Sequence, residues 1–187
     1  MRPFSAAPPA SCDISDACDD LGVPAVRTGL LRPMWPECAL FGPVRTLSLT
    51  PGDGADPVAD LIADLARGRP GEIALVDLGG RTDLQCWGGR TARAAGAVGM
   101  AGALVNGALR DVSALRSLGL PAFAAGTYPA RARGRLRYRG AGHDVRVGTA
   151  TVRSGSAVAA DADGCVFFAY DRVEEVVARA RGIAAAG

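Results

Sequence analysis

With 187 residues, 49% apolar and only 5% aromatic, the chain has enough material for one substantial core, and its 25 glycines point to close backbone packing. Its 21 basic and 19 acidic side chains leave a formal charge of +2, too small a surplus to point to nucleic acid. No run suits a membrane span or an export signal, and Cys12, Cys18, Cys38, Cys86 and Cys165 form no CxxC pair, so a soluble protein in a reducing cytoplasm is expected.

Residues 1–11 are rich in Pro, Ala and Ser and read as a flexible N-terminus ahead of one domain, residues 12–187. Ser15–Leu21 reads as a first helix, with Ser15 as its N-cap and Gly22 and Pro24 as its stop. Leu30–Cys38, with Pro33 and Pro36, is expected to be loop, and Ala39–Leu49 alternates as a strand interrupted by Gly42-Pro43. Pro57–Arg67 has helical periodicity, with Pro57 in the first turn and Gly68 and Pro70 beyond the end. Ile73–Val76 is a short apolar strand that ends on Asp77 and a Gly79-Gly80 turn. A second pair, Gly88-Gly89, precedes a small-residue helix over Thr91–Val98. The strand Ala103–Val105 is expected to break at Asn106-Gly107, delivering Arg110 and Asp111 just before a helix at Val112–Leu118; Ala122–Ala125 supplies another strand. This alternation favours an α/β layer architecture. After Gly126, Leu136–Tyr138, Val145–Val147, Ala150–Val152, Ala157–Ala159 and Cys165–Phe168 read as short strands of an added β-rich region. A terminal helix, Asp171–Ala180, takes Asp171 as its cap.

Arg110-Asp111 is the strongest local candidate for chemistry. At a strand–loop–helix junction the guanidinium can meet a carboxylate or enolate and the aspartate a metal; the alternative is that Asp111 caps the next helix and Arg110 pairs at the surface. Gly88-Gly89 followed by Arg90-Thr91 can leave backbone N–H groups open to a carboxylate, although a tight turn explains the same glycines. Neither GxGxxG nor GxxxxGK[ST] is present. His143, the one histidine, lies in GAGHDV and reads as a turn residue, the alternative being a base; a His-rich zinc site within one chain is excluded. Arg131, Arg133, Arg135, Arg137 and Arg139 alternate as a solvated hairpin edge, or as a surface for an acidic protein partner or ligand; they lack the interleaved aromatics of a single-strand nucleic-acid binder.

Taken in order, CDISDACDDLGVP from Cys12, FGPVRTLSLTPGD, VDLGG, GMAGALVNGALRDVSALRSLGLPAFAAGTYP and ADADGCVFF make the chain similar, nearly end to end, to the RraA-like family. That family includes class II pyruvate aldolases acting on 4-hydroxy-4-methyl-2-oxoglutarate or 4-carboxy-4-hydroxy-2-oxoadipate, oxaloacetate decarboxylases, and the regulator of ribonuclease E activity. The resemblance implies a layered β/β/α or α/β/β/α body of the swivelling-domain type, assembled as a homotrimer or hexamer with its cleft between subunits. It implies a lyase acting on a 2-oxo acid, with Arg110 catalytic and Asp111 binding Mg or Mn. Gly88, Arg90 and Thr91 would cradle the pyruvyl carboxylate. The non-catalytic alternative is a regulatory protein-binding module. One departure stands out: where the aldolase pattern has an acidic residue that helps hold metal-bound water, this chain has Gly89, with Asp83 as a nearby substitute.

Overall fold

The computed structural model describes residues 8–186, beginning with helix α1 (Ser11–Asp20) and strands β1 (Ala25–Thr28) and β2 (Arg32–Pro33). Strand β3 (Leu40–Pro51) leads into helix α2 (Pro57–Leu65), strand β4 (Ile73–Asp77), the short strand β5 (Gln85–Trp87) and helix α3 (Gly89–Ala97). Then come strand β6 (Gly102–Leu109), helix α4 (Val112–Ser117) and strand β7 (Ala122–Thr127). Strands β8 (Leu136–Ala141), β9 (Val145–Val147), β10 (Ala150–Val152), β11 (Ala157–Ala160) and β12 (Cys165–Phe168) follow. A single 3-10 turn, Tyr170–Arg172, starts the last helix, α5 (Val173–Ala184).

Several element ends have direct causes. Asp56 caps α2 by accepting the Ala59 N–H at 3.1 Å, and Pro57 occupies the first turn, where its missing N–H costs nothing. Helix α1 starts four residues before the expected Ser15. Ser11 anchors it: its N–H and its hydroxyl donate to the Asp161 carboxylate at 2.7 and 2.6 Å. Ser15 is no cap; its hydroxyl accepts the Arg27 Nε–H at 2.7 Å. Of the expected flexible N-terminus, residues 1–7 lie outside the described residues. Asp171 sits within the 3-10 turn, and the N-cap position of α5 belongs to Arg172, which makes no side-chain cap.

The pleat sorts the side chains into three cores. Ala74 and Val76 of β4 and Ala103 and Val105 of β6 face α2 and α3 through Leu61, Leu65, Ala92 and Ala95. Ile73, Leu75, Leu104 and Phe123 point the other way, onto Val158, Phe167 and the β9–β10 hairpin valines. The outer face of β11 and β12, including Ala157, Val166 and Phe168, meets Ile14 and Ala17 of α1 and Val176 and Val177 of α5. The result is α/β/β/α, one of the two layerings that the resemblance implied. Each fully buried Leu, Ile, Val or Phe contributes about 1.5–3 kcal/mol relative to exposure.

Strand β3 joins the two sheets. Its start (Leu40–Pro43) runs antiparallel to β11, its middle (Val44–Ser48) parallel to β4, and its end (Leu47–Pro51) antiparallel to β8. Gly42 permits the crossing, because a Cβ there would lie 2.7 Å from the Gly71 carbonyl oxygen. The strand order is β1-β12-β11-β3-β4-β6-β7-β2, with β8 also on β3, so of the expected added β-rich region β8, β11 and β12 belong to the main sheet and β9 and β10 alone stand apart, as a two-stranded sheet. Two further expectations are corrected. The Leu30–Cys38 segment contains β2, whose Pro33 is tolerated at the sheet edge beside β7. Strand β6 continues through Asn106-Gly107, because the Asn106 amide donates to Asp77 Oδ1 at 2.6 Å and to the Arg146 carbonyl at 2.9 Å. Among the described residues no helix is long and apolar enough to cross a membrane, and all five cysteines are free thiols.

Candidate active site

Strand β6 ends by presenting Arg110 and Asp111. The Arg110 N–H donates to the Trp87 carbonyl at 3.0 Å, which ties the turn to β5. Asp111 has φ 61 and ψ 35, the left-handed region, and among the described residues it is the one non-glycine with positive φ. Such a conformation costs an L-residue roughly 1–2 kcal/mol, and aspartate is among the few types that tolerate it. Its carboxylate makes no cap for α4. Instead Oδ2 accepts the Gly89 N–H at 3.0 Å and lies 3.6 Å from Arg110 Nε. The Arg110 guanidinium reaches the Pro129 carbonyl only at 3.5 Å, and both side chains are substantially exposed.

Opposite this turn stands the start of α3. The Gly88 N–H donates to Thr91 Oγ at 2.9 Å, and the same hydroxyl donates to the Gly88 carbonyl at 2.8 Å, which locks the buried Thr91 as a clasp. Thr91 therefore shapes the loop with its side chain. The Gly89 N–H is spent on Asp111, whereas the N–H groups of Arg90 and Thr91 have no acceptor among the described residues. Free amides and the positive end of the helix dipole together favour a carboxylate at this point. Gly88 is required by space: a Cβ would sit 2.9 Å from Asp111 Oδ2 and 3.2 Å from Arg110 Cγ.

These groups line a cleft of about 460 Å³, to which Arg131 and Arg133 also contribute. The alternating arginines are therefore not one hairpin edge: Arg137 and Arg139 lie in β8, while Arg131 and Arg133 stand in the loop before it and turn to the cleft. Arg93, one turn beyond Gly89 on α3, is a lining residue that sequence reasoning missed; its i, i+4 spacing from Gly89 was the available signal. Cys86 also borders the cleft, but burial, and after it the charge of Asp77, pushes its thiol far above the ordinary range. That makes it inert as a nucleophile. His143 is exposed in the β8–β9 turn, and Asp83 is engaged by Arg81 Nε at 2.9 Å; neither lines the cleft. All 21 basic residues are arginine, so the chain has no lysine to form an imine with a 2-oxo acid.

The family model described as RraA-like: Aldolase/RraA matches residues 11–167. The chain belongs to the RraA-like family. It is 28% identical over 170 residues to Protein DlpA of Legionella pneumophila, covering 89% of this chain but only 27% of that one, so it spans about a quarter of that relative's length. It is also 28% identical over 176 residues to a Halalkalibacterium halodurans protein named "Putative 4-hydroxy-4-methyl-2-oxoglutarate aldolase", covering 92% and 78% of the two chains. Among solved structures, RraAS2 of Streptomyces coelicolor, described as an unusual member of the RNase ES inhibitor RraA protein family, superposes with a TM-score of 0.79 at 25% identity. That match covers 92% of this chain and 86% of RraAS2. The RraA-like family thus holds both 2-oxo-acid aldolases or decarboxylases and RraA regulators.

Family aldolases generally use a divalent metal, and the residues here can be tested against one. Magnesium is held by one or two carboxylates, with water and ligand oxygens completing its shell. Among the described residues no three His, Cys, Asp or Glu side chains converge, so the test falls on the cleft's carboxylates alone. Of the cleft's two carboxylates, Asp56 caps α2 through Oδ1 and Asp111 binds Gly89 through Oδ2, so each has one oxygen outside those bonds. Five guanidinium groups, those of Arg90, Arg93, Arg110, Arg131 and Arg133, line the same space and repel a divalent cation. Within this chain the donor set does not fit the metal.

Proposed function

We propose that this protein is a C–C lyase acting on a 2-oxo acid, releasing pyruvate by aldol cleavage or decarboxylation. The observation that carries the reading is the Arg110-Asp111 turn, held in a left-handed conformation against the α3 N-terminus, with two unspent amides beside an arginine-lined cleft. The Arg90 and Thr91 amides would bind the ligand's carboxylate, and Arg110 would face the C2 oxygen. Asp111 is a positioning residue that fixes the Gly89 backbone and orients Arg110.

In oxaloacetate the C3–C4 bond breaks, carbon dioxide departs, and the bonding pair becomes the enolate of pyruvate. Arg110 neutralises the charge gathering on the C2 oxygen, and a proton from water at C3 completes pyruvate. For a 4-hydroxy-2-oxo acid the hydroxyl proton is lost to solvent as the new carbonyl forms, and the same enolate is released. Pyruvate production from oxaloacetate and from 4-hydroxy-2-oxo acids tests this, with Mg or Mn added and with both chelated away. Arg110→Ala is expected to lose roughly 10² to 10³ in rate, as for removal of one transition-state donor. Unchanged turnover in that variant rejects the assignment.

Assembly as a homotrimer or hexamer belongs to the same proposal, and sedimentation across micromolar concentrations tests it; a persistent monomer contradicts it. The second reading, a regulator that binds an acidic protein partner, is favoured by the exposed arginines of the β8 region and by the likeness to RraAS2. It predicts reproducible capture of a partner and no pyruvate release from any of these substrates.

A further inference from the structure

We infer that the guanidinium of Arg93 takes the place of a divalent cation in this cleft, so that a 2-oxo acid is held between Arg93 and Arg110 without a metal. The inference rests on the 2-oxo-acid reading above and goes beyond it in naming the cation.

Gly89 leaves an opening between Arg93 and Asp111. A Cβ built there would lie 3.4 Å from Arg93 Nη1, 3.9 Å from Nη2 and 3.5 Å from Asp111 Oδ2. The space above Gly89 is thus bordered by a guanidinium on one side and the Asp111 carboxylate on the other. Helical geometry explains the placement, since residues four apart share a face and Arg93 follows Gly89 by one turn of α3. An acidic side chain at 89 would engage Arg93 as an ion pair, or join Asp111 in holding a metal. Glycine does neither, and it leaves the Arg93 guanidinium with no hydrogen bond or ion pair among the described residues.

A guanidinium suits the vacated role. It carries five N–H donors in a planar fork that matches two oxygens at once, and it stays charged at every physiological pH. A 2-oxo acid offers such a pair of oxygens, one from the carboxylate and one from C2, and the C2 oxygen gains negative charge as the enolate forms. Arg90, Arg131 and Arg133 add positive field, which strengthens anion binding while opposing a divalent ion. One arrangement therefore accounts for the glycine, the unpaired arginine and the poor metal donor set.

Oxalate, a stable mimic of the pyruvate enolate, provides the test. Calorimetric titration into the full chain, first after exhaustive chelation and then with saturating magnesium, should give affinities within about twofold. Arg93→Ala should weaken binding about tenfold or more, the scale of one lost charge-assisted contact, and Arg93→Lys should restore part of it. Because Arg93 is exposed, thermal melts of both variants should match wild type. Gly89→Asp, whose Cβ meets only ordinary contacts, should make oxalate binding depend on magnesium. Oxalate that binds only with magnesium, or that binds Arg93→Ala as tightly as wild type, overturns the inference and leaves the 2-oxo-acid reading standing. Oxalate that binds under neither condition overturns that reading, and the inference with it.

Discussion

Helix α2 touches two arginine–aspartate clusters that are built to opposite purposes. Near its end, Asp64 is fully answered: Tyr138 Oη donates to it at 2.6 Å, Arg67 Nη1 at 2.9 Å, and Arg45 Nη2 stands 3.8 Å away. The Tyr138 hydrogen bond, working against burial and helped by the two arginines, holds the Asp64 carboxyl below its usual range. Burial and the Asp64 partnership push the Tyr138 hydroxyl upward in turn. At the other end, where Asp56 opens the helix, the cleft has five guanidinium groups for two carboxylates, and Asp111 is 44% exposed against 16% for Asp64. Where the carboxylate is covered and its hydrogen bonds are filled, it braces the fold; where guanidinium groups stand without partners beside a strained turn, the arrangement suits an anionic ligand.

This contrast can be broken at several points. Gly88→Ala should have the largest effect, because its Cβ would displace the Arg110-Asp111 pair by an appreciable fraction of an ångström. Pyruvate release should fall roughly 10²-fold, the scale set by misplacing reacting groups by about 1 Å, while circular dichroism stays native. Wild-type turnover in this variant would detach the pair from the chemistry. Asp64→Ala should do the reverse, lowering the unfolding free energy in urea by about 1.5–3 kcal/mol for the lost charged hydrogen bonds and leaving turnover unchanged. If it abolished turnover, the division between the clusters would fail.

Tyr138→Phe sharpens the same point through pH. Asp64 is more acidic when folded, so its contribution is present above the unfolded carboxylate value of about 3.9 and is lost as pH falls through the lower folded value. The gap in urea midpoint between wild type and Tyr138→Phe should therefore be full at neutral pH and close as the solution is acidified. A gap that is constant across that range would assign the tyrosine's effect to packing alone. Asp111→Asn should have the smallest effect on stability, within about 0.5 kcal/mol as for surface changes generally, since asparagine tolerates the left-handed region equally well. A larger loss of stability would place Asp111 with Asp64 as a brace.

The long periodic elements were legible in the sequence, because α2, β4 and the strands of the second half carry their faces in their apolar spacing. The cleft's floor was legible too: paired glycines before a small-residue helix and an Arg-Asp pair before the next helix mark a turn against a helix start. Strand β5 was missed because three residues are too few to show a period. The predicted break at Asn106-Gly107 failed because the polar groups that suggested a turn are satisfied across the sheet, by Asp77 and Arg146, which only the tertiary structure brings near. Arg131 and Arg133 misled in another way. Alternation read as an extended edge, but the chain folds back before β8, a long-range event with no local periodicity to announce it.

Strand β3 carries a consequence for how the protein opens. Its residues are hydrogen-bonded into both sheets, and where the partners change, the Val44 N–H donates to the Ser156 carbonyl while the Val44 carbonyl accepts the Gly155 N–H. The segment that leads into β11 is thereby tied to the residue at which β3 begins to run beside β4. In deuterium exchange, amides of β4 and β11, which flank β3 on opposite sides, should share one protection free energy equal to that of global unfolding. Two distinct plateaus would show the layers separating in stages; a single one makes the crossing strand the latch through which the helical cleft layer and the α1–α5 layer hold or release together.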